Sequence, residues 1–283
     1  MIGRGQVLGK ARLERVLPLE CGNYKVLSKV KSGVGMRPLV AGNWKMNGLA
    51  SGLGELTALK DGLAAQPASC DVLVCPPATL IAQAAWAVKS AFALGGQDCH
   101  VQPKGAFTGD VSAEMLKDAG AAYVIVGHSE RRQYHKETDA DVAAKAAAAW
   151  RAGLKAVICI GESLAEREAG QAPLVCQNQL RSSVPADALA SNTVIAYEPV
   201  WAIGTGKTPT SADIAAMHAH IRSCLVAKLG PPAQDMLILY GGSVNPGNAA
   251  EILNLPEVGG ALVGGASLKA ADFLSIIAAV RSA

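Results

Sequence analysis

The chain has 283 residues, half of them hydrophobic and few aromatic, with 30 glycines and a formal net charge of +3. That length and apolar content support a large buried core and exclude a disordered, collagen-like or disulfide-dense chain. Residues 1–35 carry seven Lys/Arg against Glu14 and Glu20, so the remainder holds 19 basic and 21 acidic residues and lacks the basic face that nucleic-acid binding needs.

The leader, residues 1–36, has no clean hydrophobic period, and Ser32-Gly33-Val34-Gly35 reads as a joint before Met36. It is expected to be a poorly ordered or non-native extension, and it lacks the apolar segment of a secretory signal. From Arg37 onward one pattern recurs: a short apolar run closes on Gly, Pro or a polar residue, and an Ala- and Leu-rich amphipathic stretch follows. The predicted strands, in order, are Leu39–Asn43, Asp71–Cys75, Ala91–Gly95, Tyr123–Gly127, Ala156–Ile160, Val194–Tyr197, Leu237–Tyr240 and Gly260–Val263. Helix formers dominate between them, most clearly over Ala140–Ala152 and Ala212–Leu229. Continuous apolar strands alternating with helices predict a parallel sheet covered on its outer face. Eight such units predict a single-domain α/β fold over 37–283, a (β/α)8 barrel. Apolar runs such as Ala121–Val126 fall far short of the roughly 20 residues of a membrane span.

Seven cysteines, an odd number with no CxxC pair and no zinc-like Cys/His spacing, read as reduced thiols of a cytoplasmic protein. Cys75 and Cys159 lie in apolar runs and are expected to fill the core.

Barrel chemistry gathers where strands end. Asn43 and Lys45 alternate at the end of the first strand, which predicts that both project to the same side. Such a lysine is either a solvated charge or a holder of a substrate anion or oxyanion. His128 follows the fourth strand and precedes Ser129-Glu130-Arg131-Arg132, where a helix start would disfavour an imidazolium. Glu198 caps the sixth strand, and the apolar, glycine-bearing loop after it is bracketed by Pro199 and Pro209. That loop reads as a lid hinged at both ends. Tyr240-Gly241-Gly242-Ser243 and Val263-Gly264-Gly265 place glycine pairs after strands seven and eight, where barrels often bind phosphate.

These segments resemble the triosephosphate isomerase family in order and spacing: Asn43-Trp44-Lys45-Met46-Asn47, Gly127–Arg132, Ala196–Lys207, Tyr240–Val244 and Val263-Gly264-Gly265. Cys159-Ile160-Gly161-Glu162 and Gln97–Asp110 are similar too, although Asp110 stands where the family usually has glutamate. The resemblance covers 37–283 and implies a (β/α)8 TIM barrel that interconverts D-glyceraldehyde 3-phosphate and dihydroxyacetone phosphate through an enediolate, in glycolysis and gluconeogenesis. It implies Glu198 as the base, a neutral His128 as the carbonyl-polarising acid, Lys45 for the enediolate and Asn43 for the reacting oxygens. That mechanism is a standard worked case of pKa tuning rather than a deduction from these residues. Gly204, Ser243, Gly264 and Gly265 would hold the phosphate. Glu130 and Ser129 would support lysine and histidine, Tyr240 and Ser243 would latch the lid, and Ile203 and Leu262 would crowd the base. Thr108 would reach a partner's site in a homodimer. The implied roles call on no cofactor, no metal, no nucleic acid and no membrane. Another phosphate-binding barrel isomerase, a Schiff-base aldolase using Lys45, or a non-catalytic barrel scaffold remain as alternatives.

Overall fold

The computed structural model describes residues 36–203 and 209–281. Residues 1–35, Gly204 with the rest of the loop tip through Thr208, and residues 282–283 lie outside the described residues. Eight parallel strands close into a barrel in sequence order: β1 Leu39–Asn43, β2 Asp71–Cys75, β3 Ala93–Gly96, β4 Tyr123–Val126, β5 Lys155–Ile160, β6 Thr193–Tyr197, β7 Ile238–Tyr240 and β8 Gly260–Val263. The described helices are α1 Leu53–Ala65, α2 Ile81–Val88, α3 Ala113–Asp118, α4 Ser129–Tyr134, α5 Asp139–Arg151, α6 Leu164–Glu168, α7 Ala172–Ser183, α8 Ser211–Leu229, α9 Ala249–Ile252 and α10 Ala270–Ala278. None of them is long and apolar enough to cross a membrane.

The barrel predicted from the sequence is therefore present, with β1, β2 and β8 at their predicted limits and the other five strands shifted by a residue or two. The largest shift is at β3, which starts at Ala93 rather than Ala91. Ala91 instead donates its N–H to the Val88 carbonyl, closing the end of α2. Two of the longer helices, α5 and α8, start where their sequences provide a cap. Thr138 and Thr210 each cap their helix and exchange hydrogen bonds with Asp141 and Asp213, the reciprocal arrangement that satisfies otherwise unpaired backbone donors.

Two apolar layers follow from the period of two along each strand. Leu39, Ala41, Leu73, Cys75, Ile125, Val157, Cys159, Val194, Ala196, Leu239 and Leu262 fill the barrel interior. Val40, Val72, Val74, Val124, Ala156, Ile195 and their neighbours face outward against the helices. The same alternation sets the mouth of the barrel. Two residues beyond inward-facing Ala41, Cys159, Ala196, Leu239 and Leu262 come Asn43, Gly161, Glu198, Gly241 and Gly264. These five rim positions carry two polar side chains and three glycines, leaving room above a packed interior.

Closure depends on β8 meeting β1, with Leu39 opposite Gly260 and Ala41 opposite Leu262. Gly260 has φ +138, and a Cβ there would lie 1.9 Å from the Leu39 carbonyl oxygen. Gly260→Ala is expected to cost about 3 kcal/mol, or roughly 6–12 °C in Tm, from backbone strain plus displacement of β1. Thermal unfolding followed by circular dichroism measures this, and an unchanged Tm would mean that the seam is not built as described.

Candidate active site

A cavity of about 320 Å³ opens at the C-terminal rim and is lined by Asn43, Lys45, His128, Glu198, Ile203, Gly241, Gly242, Ser243, Leu262, Gly264 and Gly265, among others. A larger one, about 610 Å³, lies at the opposite rim beside the first residues of β1–β4. Its arginine, Arg37, is already committed to the carbonyls of Ala68 and Cys70 and to Asp71. The smaller cavity holds the convergent acid, base and cation, and it is the one with chemistry.

Glu198 is 2% exposed. Its Oε1 lies 2.9 Å from His128 Nε2, and its Oε2 accepts the Ser129 N–H at 3.0 Å. Burial pushes this carboxyl up, but the imidazole, the Ser129 N–H and Lys45 together outweigh burial and hold it below the usual carboxylate range. It is therefore ionised at neutral pH. Burial lowers His128 in turn, while the adjoining Glu198 carboxylate, helped by Glu130, carries it above its ordinary value. His128 caps α4, and its Nδ1 accepts the Glu130 N–H at 3.2 Å. That acceptance requires a lone pair on Nδ1, so the neutral ring carries its proton on Nε2, toward Glu198.

Lys45 reaches the cavity differently from the expectation. It lies two residues beyond β1 with φ +53, a left-handed backbone that costs a non-glycine residue about 1–2 kcal/mol. Strand alternation accounts for Asn43, and a backbone turn accounts for Lys45. The Lys45 N–H donates to Asn43 Oδ1 at 2.9 Å, and Nζ lies 2.6 Å from Glu130 Oε1. Glu130 Oε2 is 3.6 Å from His128 Nδ1. Glu130 thus touches both lysine and histidine, while Ser129 contributes its backbone rather than its hydroxyl to Glu198.

The glycines after β7 have a different immediate cause from phosphate binding. A Cβ on Gly241 would lie 2.9 Å from Glu198 Cγ, and one on Gly242 would lie 2.2 Å from the Tyr240 hydroxyl oxygen. Both positions make room for neighbouring side chains. After β8, a Cβ on Gly265 would meet open space, and Gly265 begins a short 3₁₀ turn. Ser243 Oγ donates to the Ala202 carbonyl at 2.8 Å, fastening the near limb of the Glu198–Lys207 loop. The buried Tyr240 hydroxyl has no partner among the described residues. Thr108 is exposed and is not among the residues lining its own chain's cavity. Gly204 lies outside the described residues.

Comparison with known proteins settles the ancestry. A family profile described as triosephosphate isomerase matches residues 38–280. The chain belongs to the triosephosphate isomerase family. It is 60% identical over 248 residues to the triosephosphate isomerase of Chelativorans sp. strain BNC1, covering 87% of this chain and 98% of that one. It is 61% identical over 242 residues to that of Afipia carboxidovorans, covering 85% and 96%. The crystal structure of triosephosphate isomerase from Bartonella henselae superposes with a TM-score of 0.80 at 50% identity, covering 85% of this chain and 98% of that one.

Two site residues went unassigned in the sequence. Glu162, fully buried, accepts the Trp201 indole N–H at 2.8 Å and the Tyr197 hydroxyl at 3.1 Å, beneath the start of the loop after β6. Its signal was a charge one residue after a strand-end glycine. The other is Gln97, directly after β3, whose side chain donates to the Lys45 carbonyl. The six described cysteines are buried, and none of them is in a disulfide. Burial first, and then the Glu198 carboxylate, push the Cys159 thiol well above its ordinary value, which makes it an inert filler. Among the described residues no group of three or more His, Cys, Asp or Glu could hold a metal ion.

The Glu198–His128 pair stabilises the fold in a defined pH window. The lowered carboxylate contributes above its ordinary 4.5 and is lost as pH falls through its folded value. The raised imidazole contributes below its ordinary 6.5 and is lost as pH rises through its folded value. In Glu198→Gln the main group that raises His128 is gone, while its burial and the smaller effect of Glu130 remain. NMR titration of the His128 ring is expected to give a lower pKa in the variant than in the parent. An equal or higher value would mean that the pair does not set the imidazole.

Proposed function

We propose that this chain interconverts D-glyceraldehyde 3-phosphate and dihydroxyacetone phosphate through an enediolate, with Glu198 as the base. The observation that carries the reading is a buried, ionised carboxylate that shares one small cavity with a histidine donor, a lysine and glycine-rich backbone. At about 320 Å³ the cavity lies at the low end of ligand pockets, which run from roughly 300 to 1,000 Å³, and it suits a three-carbon phosphate better than a phosphoribosyl aromatic.

The chemistry follows from contacts that a substrate would exchange. Glu198 leaves His128 and the Ser129 N–H to take a proton from the carbon beside the carbonyl, and the dry cavity keeps it basic. Once the carboxylate moves off, burial and the α4 N-terminus favour a neutral His128, whose Nε2–H donates to the carbonyl oxygen and then shuttles between the two oxygens. Lys45 offsets the charge that develops on those oxygens, and Asn43 hydrogen-bonds them. Ser243 and the N–H groups of Gly264 and Gly265 hold the phosphate, with Gly204 supplied by the loop after β6. Ile203 and Leu262 exclude water from the base, and Tyr240 with Ser243 latches the loop. Exclusion of water matters because an exposed enediolate would lose phosphate.

The reaction belongs to the breakdown and resynthesis of hexoses, and buried thiols with no disulfide among the described residues support a cytoplasmic setting. The mildly acidic body supports a chain without nucleic-acid partners. A homodimer is supported by large apolar side chains left exposed in loops at the catalytic rim: Met46 (96% exposed) after β1 and Phe107 (43%) beside Thr108 after β3. Residues 37–283 form the catalytic domain, and residues 1–36 form an extension that activity does not require.

In a coupled assay with D-glyceraldehyde 3-phosphate, the parent is expected to turn over rapidly. Glu198→Gln is expected to lose at least about a thousandfold in kcat while still binding 2-phosphoglycolate. Undiminished turnover in the variant would remove Glu198 as the base, and an inactive, well-folded parent would favour the scaffold reading. A chain beginning at Met36 is expected to sediment as a dimer with parental turnover. A monomer would sink the dimer proposal, and insoluble protein would make the extension part of the fold.

A further inference from the structure

We propose that Gln97 is a positioning residue for Lys45, so that catalysis depends on a side chain that is not among those lining the cavity. The inference rests on the isomerase reading of that cavity. Gln97 directly follows β3. Its Nε2 donates to the Lys45 carbonyl at 2.8 Å and to the Cys75 carbonyl at 2.9 Å. One amide thus spends both of its hydrogens on carbonyls from two other strand ends. The Cys75 carbonyl also takes the Trp44 N–H, at 3.1 Å, so it is the fixed point against which Trp44 and Gln97 both brace.

The bridged residue is one of five described non-glycine residues with a left-handed backbone, and of those five it is the one that lines the cavity. Lys45 holds φ +53, and its two peptide planes are pinned from opposite sides, the N–H by Asn43 Oδ1 and the carbonyl by Gln97. A lysine left to itself would return to a right-handed or extended backbone. That rotation would swing the Cα–Cβ bond and withdraw Nζ from the cavity, even with Glu130 still present to pair with it. Gln97 is only partly buried, so water can take over its hydrogen bonds to the two carbonyls. Water satisfies a carbonyl but does not fix the direction of a peptide plane. Loss of the amide is therefore predicted to disturb the position of the ammonium far more than the fold.

Two variants separate these effects: Gln97→Met, of similar length without donors, and Gln97→Glu, which turns an acceptor toward two acceptors. Each is made alone and together with Lys45→Ala. For each protein kcat and KM are measured with D-glyceraldehyde 3-phosphate, and affinity for 2-phosphoglycolate is measured by calorimetry. With Lys45 present, both variants are expected to lose about ten- to a hundredfold in kcat/KM and to bind 2-phosphoglycolate more weakly. In the Lys45→Ala background the same changes are expected to alter either quantity less than about twofold, because two residues acting through one ammonium are not additive. Equal losses in both backgrounds, parental behaviour in Gln97→Met, or failure of both single variants to fold would each overturn the proposal. A folded parent without turnover would instead sink the isomerase reading. The 2-phosphoglycolate arm would still decide whether Gln97 acts through Lys45.

Discussion

A carboxylate removed from water at the rim of a closed barrel is the constraint around which the site is arranged. Burying an ion costs several kcal/mol unless its oxygens are matched by donors. Glu198 meets that demand with the His128 ring and the Ser129 N–H, both supplied by the strand-to-helix junction after β4. The demand then passes along the rim. His128 is turned by the Glu130 N–H, and the Glu130 side chain takes the Lys45 ammonium. A connected set of charges thus spans the ends of β6, β4 and β1. Because Glu198 is held by groups that can be exchanged for substrate, the arrangement keeps a base dry, ionised and displaceable.

Space at the rim is as specific as charge. Glycine at 161, 241 and 242 is imposed by the Glu198 backbone, the Glu198 side chain and the Tyr240 ring respectively. A Cβ at Gly161 would come within 1.7 Å of the Glu198 carbonyl oxygen. These residues forgo the rigidity that a side chain would bring. In return the functional side chains sit low in the barrel, against a fully packed interior. The left-handed backbone at Lys45 is a second local cost, offset by hydrogen bonds to both of its peptide planes.

Much of this was legible from the residues because an apolar run and the residue that closes it are local properties. Apolar runs closing on polar residues or glycine located eight strands to within a residue or two, and strand ends located the windows that hold Asn43, His128 and Glu198. Lys45 was located for a reason that does not hold: alternation was expected where a left-handed turn operates. The glycine pair after β7 was ascribed to phosphate approach, whereas its nearest neighbours are the base and a tyrosine. Gln97 carried no signal of its own. An amide after a strand is usually solvated, and its two acceptors are 22 and 52 residues away in sequence.

By itself the sequence determined the (β/α)8 alternation and the kinds of chemical group at each strand end. Continuous apolar runs, the residues that close them and the helix formers between them suffice for both. Only the tertiary structure decided which strand ends share a cavity, which nitrogen of His128 faces the carboxylate, and how Lys45 is turned toward it. Those outcomes depend on barrel closure, which brings carbonyls and side chains from distant segments within hydrogen-bond reach and leaves no local trace in the chain.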